Sequence, residues 1–518
     1  MLFNSFVFVL FFLPATLVVY FWLGRIGHRS ALVWLFVASL AFYAWWNPVF
    51  LGLLLGSLVF NYALGYSLAP TRGTERRWLL IGGVAANLVM LGYFKYAAFA
   101  LGIAGFRLDP EAVVLPLAIS FFTFTQIGFL VDCHRGRIVD FDPLHYGLFV
   151  VYFPHLIAGP IIHHGDVAGQ FADARASRMR WDDMASGVTL FLIGLFKKVV
   201  IADQLAIAVN RAYVAVDQGV RLTALESGAT AVGFLLQIYF DFSAYCDMAL
   251  GVSVMLGVRL PLNFNSPLKA TSILDFWRRW NITLTRFLSA YIYQPMARHL
   301  ARQRAASARS TRPGGLLRRR WSLGMLIVLP AMTTMVASGI WHGAGWTFVI
   351  FGALHGIFVV VNQVWRKIVP PLGLPRWLAS GAGLLLTFSA VAVSVIFFRA
   401  PTLSVAWSVL EGLSAINGFF PPAADPLEGR RSPADAAAAF WIATGLAIVW
   451  LLPNPYQWMA SRRLHLGGPV EPWRFPATLA SRLTWRPTSA WTVLVALLGA
   501  TAMIMMGSHV TQFIYFQF

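Results

Sequence analysis

The chain has 518 residues, of which 58% are hydrophobic and only 12% are charged. A soluble domain carries about 25% charged residues, so this composition excludes an ordinary soluble protein. Two cysteines are too few for a disulfide framework. Apolar runs of about 18 or more residues, each long enough to cross a bilayer, recur along nearly the whole chain. The composition therefore predicts an all-α, polytopic integral membrane protein.

The net charge of +19 falls mostly in short loops between the apolar runs. In a soluble protein this charge would suggest nucleic-acid binding, but in membrane loops basic residues indicate the cytoplasmic side. We therefore expect loops 298–320 and 458–487 to be cytoplasmic. The loop around Asp109 and the loop 399–437 should lie outside, as should both ends of the chain. The predicted runs lie at residues 5–23, 31–46, 49–69, 78–101, 113–131, 144–163, 184–214, 226–258, 321–340, 346–364, 377–398, 438–452 and 489–511.

The run at 144–163 is interrupted by Pro154, Gly159 and Pro160. Irregular backbone at membrane depth is tolerated only where it is buried in protein or lines a cavity. We therefore predict a kinked or re-entrant segment here.

Several residues of metal-binding type lie in or just after this broken run: His155, His163, His164 and Asp166. Their spacing matches no zinc motif, so we interpret them as interfacial polar residues and expect no metal. Cys133 and Cys246 could be nucleophiles, but nothing nearby in the sequence would lower a thiol pKa. We interpret both cysteines as packing residues.

Two carboxylates, Asp241 and Asp247, lie within the apolar run at 226–258. At 100° per residue they point about 120° apart on a helix, so we expect them to have different neighbours. One interpretation is structural, with each carboxylate neutralising a buried arginine such as Arg278 or Arg279. The alternative is functional, with both carboxylates lining a polar path for a substrate.

The stretch 275–293 repeats aromatic and leucine side chains at helical spacing, which predicts an amphipathic helix. Arg278, Asn281 and Thr285 fall on another face of that helix, at i, i+3 and i+7. The tract 298–320 follows with eight arginines and no acidic residue. We interpret this tract as a topology signal that contacts anionic lipids.

His342 lies between two apolar runs, directly after Trp341 and before Gly343. Histidine is the side chain whose ordinary pKa suits proton transfer near neutrality, and the glycines leave room for a substrate. His355 follows thirteen residues later. On one continuous helix it would lie about 20 Å along the axis and about 140° around from His342. We therefore expect only one of the two histidines to act as a base.

The run Phe276-Trp277-Arg278-Arg279-Trp280-Asn281, followed by Trp341-His342-Gly343, resembles the membrane-bound O-acyltransferase (MBOAT) superfamily. The similarity spans nearly the whole chain and is strongest to the bacterial branch that contains the alginate O-acetyltransferase membrane subunit. Further matching stretches are Ile119–Phe124, Phe153–Pro160, Gln237–Ser243, Asn263–Asn265, Phe397–Ala400 and Phe513–Phe518. After Tyr293 the chain reads Gln294-Pro295-Met296-Ala297-Arg298-His299, where alginate-type members carry a Pro-Leu-Gly-Gly-Asn-Arg-like run. This departure weakens the assignment to alginate but not the reaction class.

The resemblance implies a helical bundle with re-entrant segments and a central funnel. It implies one transmembrane domain over residues 1–518, with core motifs at 237–356. The family's invariant histidine matches His342, and its second polar residue matches Asn281. We interpret the remaining candidate residues as supporting the catalytic pair or lining the substrate path. These are His355, Asp241, Asp247, Arg278, Arg279, Trp280 and Trp341.

The implied reaction is transfer of an acyl group, usually acetyl, to a hydroxyl. Acetyl-CoA or another thioester would be a co-substrate, not a bound cofactor, and would enter from the arginine-rich cytoplasmic side. His342 would be the general base, and Asn281 would polarise the thioester carbonyl. The acceptor would be an exported polysaccharide such as alginate, with extracytoplasmic partner proteins completing the transfer.

The expected location is the bacterial inner membrane, with membrane lipids as further partners and no nucleic acid. Within the acyltransferases, the alternative acceptors are a lipid, a teichoic acid or a protein. The alternative function is a transporter or flippase in which Asp241, Asp247 and His342 form an ion path.

Overall fold

The computed structural model describes residues 1–69, 76–106, 114–309, 316–369, 373–421, 435–467, 470, 484–507 and 513–514. For residues 306–309 and 316–323 it describes the backbone alone. The predicted outer loop around Asp109 lies outside the described residues, as does much of loop 399–437, including Asp425 and Glu428.

Within these ranges the regular structure is helical, apart from one isolated bridge between Pro261 and Leu466. Among the residues that the structure describes, eight helices are long and apolar enough to cross a membrane. They are Val7–Ile26, Val49–Ser67, Arg76–Ile103, Trp181–Asp217, Gly324–His342, Trp346–Ile368, Arg376–Arg399 and Ser489–Met506. A lipid environment requires each backbone N–H to be bonded within its own segment, which favours helices for such apolar runs. The prediction of an all-α, polytopic membrane fold is confirmed.

We number the described α-helices in chain order. They are α1 (Leu13–Ile26), α2 (His28–Ala44), α3 (Val49–Ser67), α4 (Arg76–Leu91), α5 (Ala97–Ile103), α6 (Ile119–His134), α7 (Pro143–Val151), α8 (Phe153–Leu156), α9 (His164–Ala172), α10 (Trp181–Phe196), α11 (Asp203–Asp217), α12 (Ala224–Met255), α13 (Ile273–Trp277), α14 (Ile282–Leu288), α15 (Gln294–Arg309), α16 (Leu316–His342), α17 (Trp346–Ile368), α18 (Arg376–Arg399), α19 (Leu403–Leu413), α20 (Ala436–Leu451), α21 (Pro455–Trp458) and α22 (Ser489–Met506). Wider π-helical turns occur at Val7–Phe12, Gly92–Tyr96, Lys197–Ala202 and Ser289–Tyr293. Short 3₁₀ turns occur at Ala174–Ser177 and Pro267–Lys269.

The chain packs as two compact units. The first contains residues 1–200, 240–263 and 453–517, and the second contains residues 201–239 and 264–452. Helix α12 contributes its first half to the second unit and its second half to the first. The single domain over 1–518 and the central funnel stay predictions.

In the first unit, α10 and the second half of α12 approach closely because glycines face the contact. A Cβ added to Gly194 would lie 2.8 Å from the carbonyl oxygen of Ala244, and one added to Gly187 would lie 2.6 Å from that of Gly251. Small residues at such contacts let helix backbones pack closely in lipid. This contact positions the end of α10 beside the carboxylates of α12.

The run predicted to be broken is broken in the first unit. Helix α7 ends at Val151, and α8 begins at Phe153 with Pro154 in its first turn. The joining residue, Tyr152, is fully buried, and Gly159 is buried as well. The irregular backbone therefore lies inside the protein, as its apolar surroundings require.

In the second unit, α16 and α17 form a tight hairpin that positions the candidate site. A Cβ on Gly339 would collide with the carbonyl oxygen of Phe348, and a Cβ on Gly352 would lie 2.5 Å from that of Met335. Helix α17 also packs against α13 and α18. The hairpin places the end of α16 and the middle of α17 against the rest of this unit.

Candidate active site

The signature segment that ends at Asn281 is not part of one helix. Helix α13 ends at Trp277, a turn follows, and α14 begins at Ile282. Asn281 has φ 42° and ψ 53°, the left-handed conformation that asparagine tolerates better than most residues. The predicted continuous helix over 275–293 is therefore wrong, and Arg278, Asn281 and Thr285 do not share one helical face. Apolar spacing does not register a single backbone reversal, so the periodicity missed it.

Hydrogen bonds hold the turn in place. The side chain of Ser272 accepts from the backbone N–H of Asp275 at 3.2 Å and caps α13. Arg279 Nε donates to Asp275 Oδ1 at 2.9 Å. The carbonyl oxygen of Arg279 accepts from the backbone N–H of Asn265 at 2.9 Å. These bonds fix the backbone that leads into Asn281, which is itself buried.

Cationic side chains surround the start of α13. Arg366, in the last turn of α17, donates to the hydroxyl of Ser272 at 3.4 Å. Lys269 donates to the carbonyl oxygen of Leu452 at 2.8 Å. Burial, followed by the nearby charge of Arg279, lowers the pKa of the Lys269 ammonium.

Aromatic rings pack around Trp280, the residue before Asn281. Its ring stacks on Phe276 with centroids 5.4 Å apart, and it meets the edge of Phe264 at 5.1 Å. Trp277, on the same segment, is buried, and its indole N–H has no hydrogen-bond partner among the described residues. A buried donor that is left without a partner costs about 1–3 kcal/mol.

His342 is the last residue of α16 and is only 5% exposed. Its imidazole packs against the aromatic rings of Trp341, Phe351 and Phe398, at centroid distances of 4.9, 6.0 and 5.1 Å. A Cβ on Gly343 would collide with the ring of Phe348. The room that this glycine leaves is thus filled by Phe348.

His355 lies on a different helix from His342, so the premise of one continuous helix is wrong. The chain reverses between His342 and Trp346, at glycines that the sequence displays. Both imidazoles contact the same ring, that of Phe351, at 6.0 and 4.6 Å. His355 is 1% exposed, and its Nε2 lies 2.9 Å from the hydroxyl of Ser394 on α18.

The two buried carboxylates of α12, Asp241 and Asp247, belong to the first unit, and their partners are lysines. Lys198 Nζ lies 2.6 Å from Asp241 Oδ1, and Lys197 Nζ lies 2.7 Å from Asp247 Oδ2. The prediction of different neighbours is confirmed, but the expected pairing with Arg278 or Arg279 is wrong. Both lysines lie in the π-helical turn that follows α10, and both are buried beside the carboxylates.

The other residues of metal-binding type have individual contacts. His155 Nε2 lies 3.0 Å from the carbonyl oxygen of Phe149, and His163 Nδ1 lies 3.8 Å from Asp132 Oδ2. Across the part of the chain that the structure describes, no three His, Cys, Asp or Glu residues are placed to hold a metal ion. Cys133 and Cys246 are buried thiols, as expected for packing residues.

Comparison with known proteins identifies the family. The model of the MBOAT, membrane-bound O-acyltransferase family matches residues 112–311, a range that includes Asn281 but ends before His342. The peptidoglycan O-acetyltransferase of Helicobacter pylori is 37% identical, over 81% of this chain and 80% of that protein. This chain belongs to the membrane-bound O-acyltransferase family. It is a multi-pass membrane O-acyltransferase, and its reaction requires an acyl donor as co-substrate.

Two other relatives show the range of the family. The protein named probable alginate O-acetylase of Azotobacter vinelandii is 36% identical, over 81% of this chain and 79% of that protein. The teichoic acid D-alanyltransferase of Bacillus subtilis is 24% identical, over 60% of this chain and 75% of that protein.

Several residues that surround the candidate site were not singled out from the sequence. Ser394 is a hydroxyl within an otherwise apolar part of α18, and its neighbour in space could not be read from the chain. Phe351 and Phe398 belong to apolar helices and carried no signal beyond hydrophobicity, although Phe398 lies in a stretch that resembles the family. Trp277 was visible only as one ring of the signature run.

Proposed function

We propose that this O-acyltransferase transfers acetyl from a cytoplasmic thioester, such as acetyl-CoA, towards hydroxyls of an exported polysaccharide. The relatives named above as O-acetyltransferase and O-acetylase act, by their names, on peptidoglycan and alginate, which both contain sugar hydroxyls. The relative named as a D-alanyltransferase is less similar, which favours acetyl over D-alanyl as the group transferred. The bacterial inner membrane is the compartment that has cytoplasmic thioesters on one side and exported polymers on the other.

The observation that carries the proposal is the placement of two buried polar residues at helix ends in one unit. His342 ends α16, and Asn281 precedes α14, with exposures of 5% and 3%. Burial of a polar side chain in such apolar surroundings costs free energy, so its presence favours a functional role. We assign His342 as the general base and Asn281 as the donor to the carbonyl oxygen.

The chemical steps follow from these roles. The hydroxyl oxygen of the substrate that receives the acyl group attacks the thioester carbonyl carbon. His342 accepts the proton of that hydroxyl as the new bond forms. The amide N–H of Asn281 donates to the carbonyl oxygen as negative charge develops on it. The carbon–sulfur bond then breaks, the thiolate leaves and takes the proton from His342, and an ester remains on the acceptor. The surrounding aromatic rings exclude water, which limits hydrolysis of the thioester.

The cations around α13 support entry of the donor from the cytoplasm. Arg366 lies in the last turn of α17, and Lys269 and Arg279 flank the same region. Charge-assisted hydrogen bonds from such groups suit the phosphates of a thioester donor. The basic side chains of α15, in the tract predicted to be cytoplasmic, add long-range attraction.

The acceptor is proposed as a class. The departure after Tyr293 from the alginate-type run weakens the assignment to alginate itself, but alginate stays one member of the proposed class. Partner proteins outside the membrane would carry the acetyl group from this enzyme to the polymer. Alginate and peptidoglycan are the two polymers with which to test the proposal.

The test uses the purified full chain in lipid nanodiscs with acetyl-CoA labelled in the acetyl group. We expect thioester cleavage that depends on His342, and label on a polysaccharide when the extracytoplasmic fraction of the cell is added. Label on a lipid, a teichoic acid or a protein as the stable product would replace the proposed acceptor. Movement of a substrate across the bilayer without any thioester cleavage would overturn the enzymatic proposal in favour of a transporter.

A further inference from the structure

We propose that His355 is a positioning residue, held in one tautomer by Ser394, which sets the separation of His342 and Asn281 through the aromatic rings between them. This inference rests on the roles proposed above for His342 and Asn281. His355 itself exchanges no proton with a substrate.

The hydrogen bonds of Ser394 determine the tautomer of His355. The Ser394 hydroxyl donates its proton to the carbonyl oxygen of Val391 at 2.8 Å. It can therefore only accept from His355 Nε2, which lies 2.9 Å away. We therefore assign the proton to His355 Nε2 and the lone pair to Nδ1. Since Nδ1 has no hydrogen-bond partner among the described residues, there is no acceptor for a second proton on this ring.

A series of ring contacts connects His355 to both proposed catalytic residues. On one side, His355 contacts Phe351 at 4.6 Å, and Phe351 contacts His342 at 6.0 Å. On the other side, the His355 ring stacks on Phe276 at 6.3 Å with an interplanar angle of 17°.

Phe276 continues the series towards Asn281. It stacks on Trp280 at 5.4 Å with an interplanar angle of 18°, and Asn281 is the next residue along the chain. The edge of Trp277 also meets the His355 ring, at 5.1 Å. His355 is therefore the central ring between the end of α16 and the turn before α14.

A hydrogen bond at the centre of such a series restrains it in a way that apolar packing alone does not. The bond is fully buried, so it is strong and directional in the low-dielectric interior. It ties α17 to α18 and prevents the imidazole from rotating between its neighbours. Loss of the bond would let the rings shift and change the distance between the base and the carbonyl donor.

The main test compares Ser394→Ala with Ser394→Thr. The alanine variant removes the acceptor for His355 Nε2, whereas the threonine variant keeps a hydroxyl at the same position. A displacement of about 1 Å costs on the order of 10²-fold in rate, so we expect kcat per folded molecule of Ser394→Ala to fall between about 10-fold and 100-fold. The KM of Ser394→Ala for the thioester should stay unchanged. Ser394→Thr should keep most of the wild-type kcat.

Thr387→Ala is the matched control. Thr387 is a buried hydroxyl on the same helix, and its Oγ1 donates to the carbonyl oxygen of Gly383 at 2.7 Å, away from His355. We expect this variant to keep the wild-type kcat. If Ser394→Ala lowers only the amount of folded protein and keeps kcat per folded molecule, the positioning role is wrong.

A second measurement places Ser394→Ala in an Asn281→Gly background, because glycine keeps the left-handed backbone at this position. If Ser394 acts by setting the separation of His342 and Asn281, its loss should matter much less once the Asn281 amide is gone. Rate losses that simply multiply would contradict the proposal. Normal turnover of both His342→Ala and Asn281→Gly would instead overturn the proposed function, so the two failures are distinguishable.

Discussion

The ammonium group of Lys198 lies 2.6 Å from the carboxylate of Asp241, and their side chains are only 2% and 3% exposed. The second oxygen of Asp241 accepts from the backbone N–H of Ile514 at 3.0 Å. Asp247 is satisfied in the same manner, by Lys197 and by the hydroxyl of Tyr456 at 2.7 Å. Opposite charges thus meet inside the first unit, and both oxygens of each carboxylate are bonded, which favours a structural role for both pairs.

We therefore expect Asp241→Asn to lower the amount of folded protein and to change turnover per folded molecule little. Removing one partner of a buried pair costs about 3–5 kcal/mol, because the other charge is left buried and uncompensated. Detergent-solubilised yield and the midpoint of thermal unfolding are the measurements. Replacing both partners, as Lys198→Met with Asp241→Leu, should recover most of the yield.

Asp173→Asn is the control for that experiment, because its partner Arg175 is exposed and such pairs contribute little. A normal yield of Asp241→Asn together with lost activity would show that this carboxylate serves the substrate path directly.

His342→Ala should nearly abolish acyl transfer while the protein still inserts and binds thioester. Removing a general base costs about 10²–10⁴-fold in rate. His355→Ala should lose less, because His355 acts only through its neighbours. Transfer from a labelled thioester, compared at equal folded amounts, measures both variants. Wild-type turnover of His342→Ala with complete loss in His355→Ala would assign the base to His355.

Asn281 requires a substitution that preserves its left-handed backbone. Asn281→Gly keeps that conformation without strain and removes the amide, whereas Asn281→Ala adds strain of about 1–3 kcal/mol. We expect the glycine variant to unfold close to the wild-type temperature and yet to lose about 10²–10³-fold in kcat, as for the loss of one oxyanion donor. A glycine variant with wild-type kcat would remove Asn281 from the mechanism.

The predicted topology can be checked with single cysteines, because the two native thiols are buried and should not react with a membrane-impermeant reagent. Ala305, on α15, and Ser414, after α19, are both exposed. Positive-inside topology predicts that Ser414→Cys is labelled in intact cells and that Ala305→Cys is labelled only after permeabilisation. Labelling of Ala305→Cys from outside would reverse the assignment.

Hydrophobicity was enough to predict the membrane fold, because in lipid the backbone N–H and C=O groups have few ways to form hydrogen bonds other than in a helix. The broken segment around Pro154 was predictable for the same reason. The partners of Asp241 and Asp247 were not, because which cation lies beside a carboxylate depends on how helices distant in sequence pack. The turn at Asn281 was also not predictable, because one left-handed residue ends a helix without disturbing the apolar spacing of the sequence.

For the candidate site, the polar residues His342 and Asn281 could be chosen from the chain, and their roles stay predictions. Their surroundings could not be predicted, because Phe351, Phe398 and Ser394 are ordinary residues of apolar helices. The break between His342 and His355 was predicted by the separate runs 321–340 and 346–364, and the structure confirms it.

The glycine contact between α16 and α17 also bears on how the protein is made. With backbones that meet at Gly339 and Gly352, these two helices can enter the bilayer as a hairpin while later residues are still on the ribosome. His355 is synthesised 39 residues before Ser394, so its N–H does not yet have this hydroxyl as an acceptor when α17 inserts. A donor in hydrocarbon favours any arrangement that supplies an acceptor. We expect the imidazole to bind α18 as that helix inserts, so that α18 joins this unit through the hydrogen bond that later holds it there, before α19 and α20 are added.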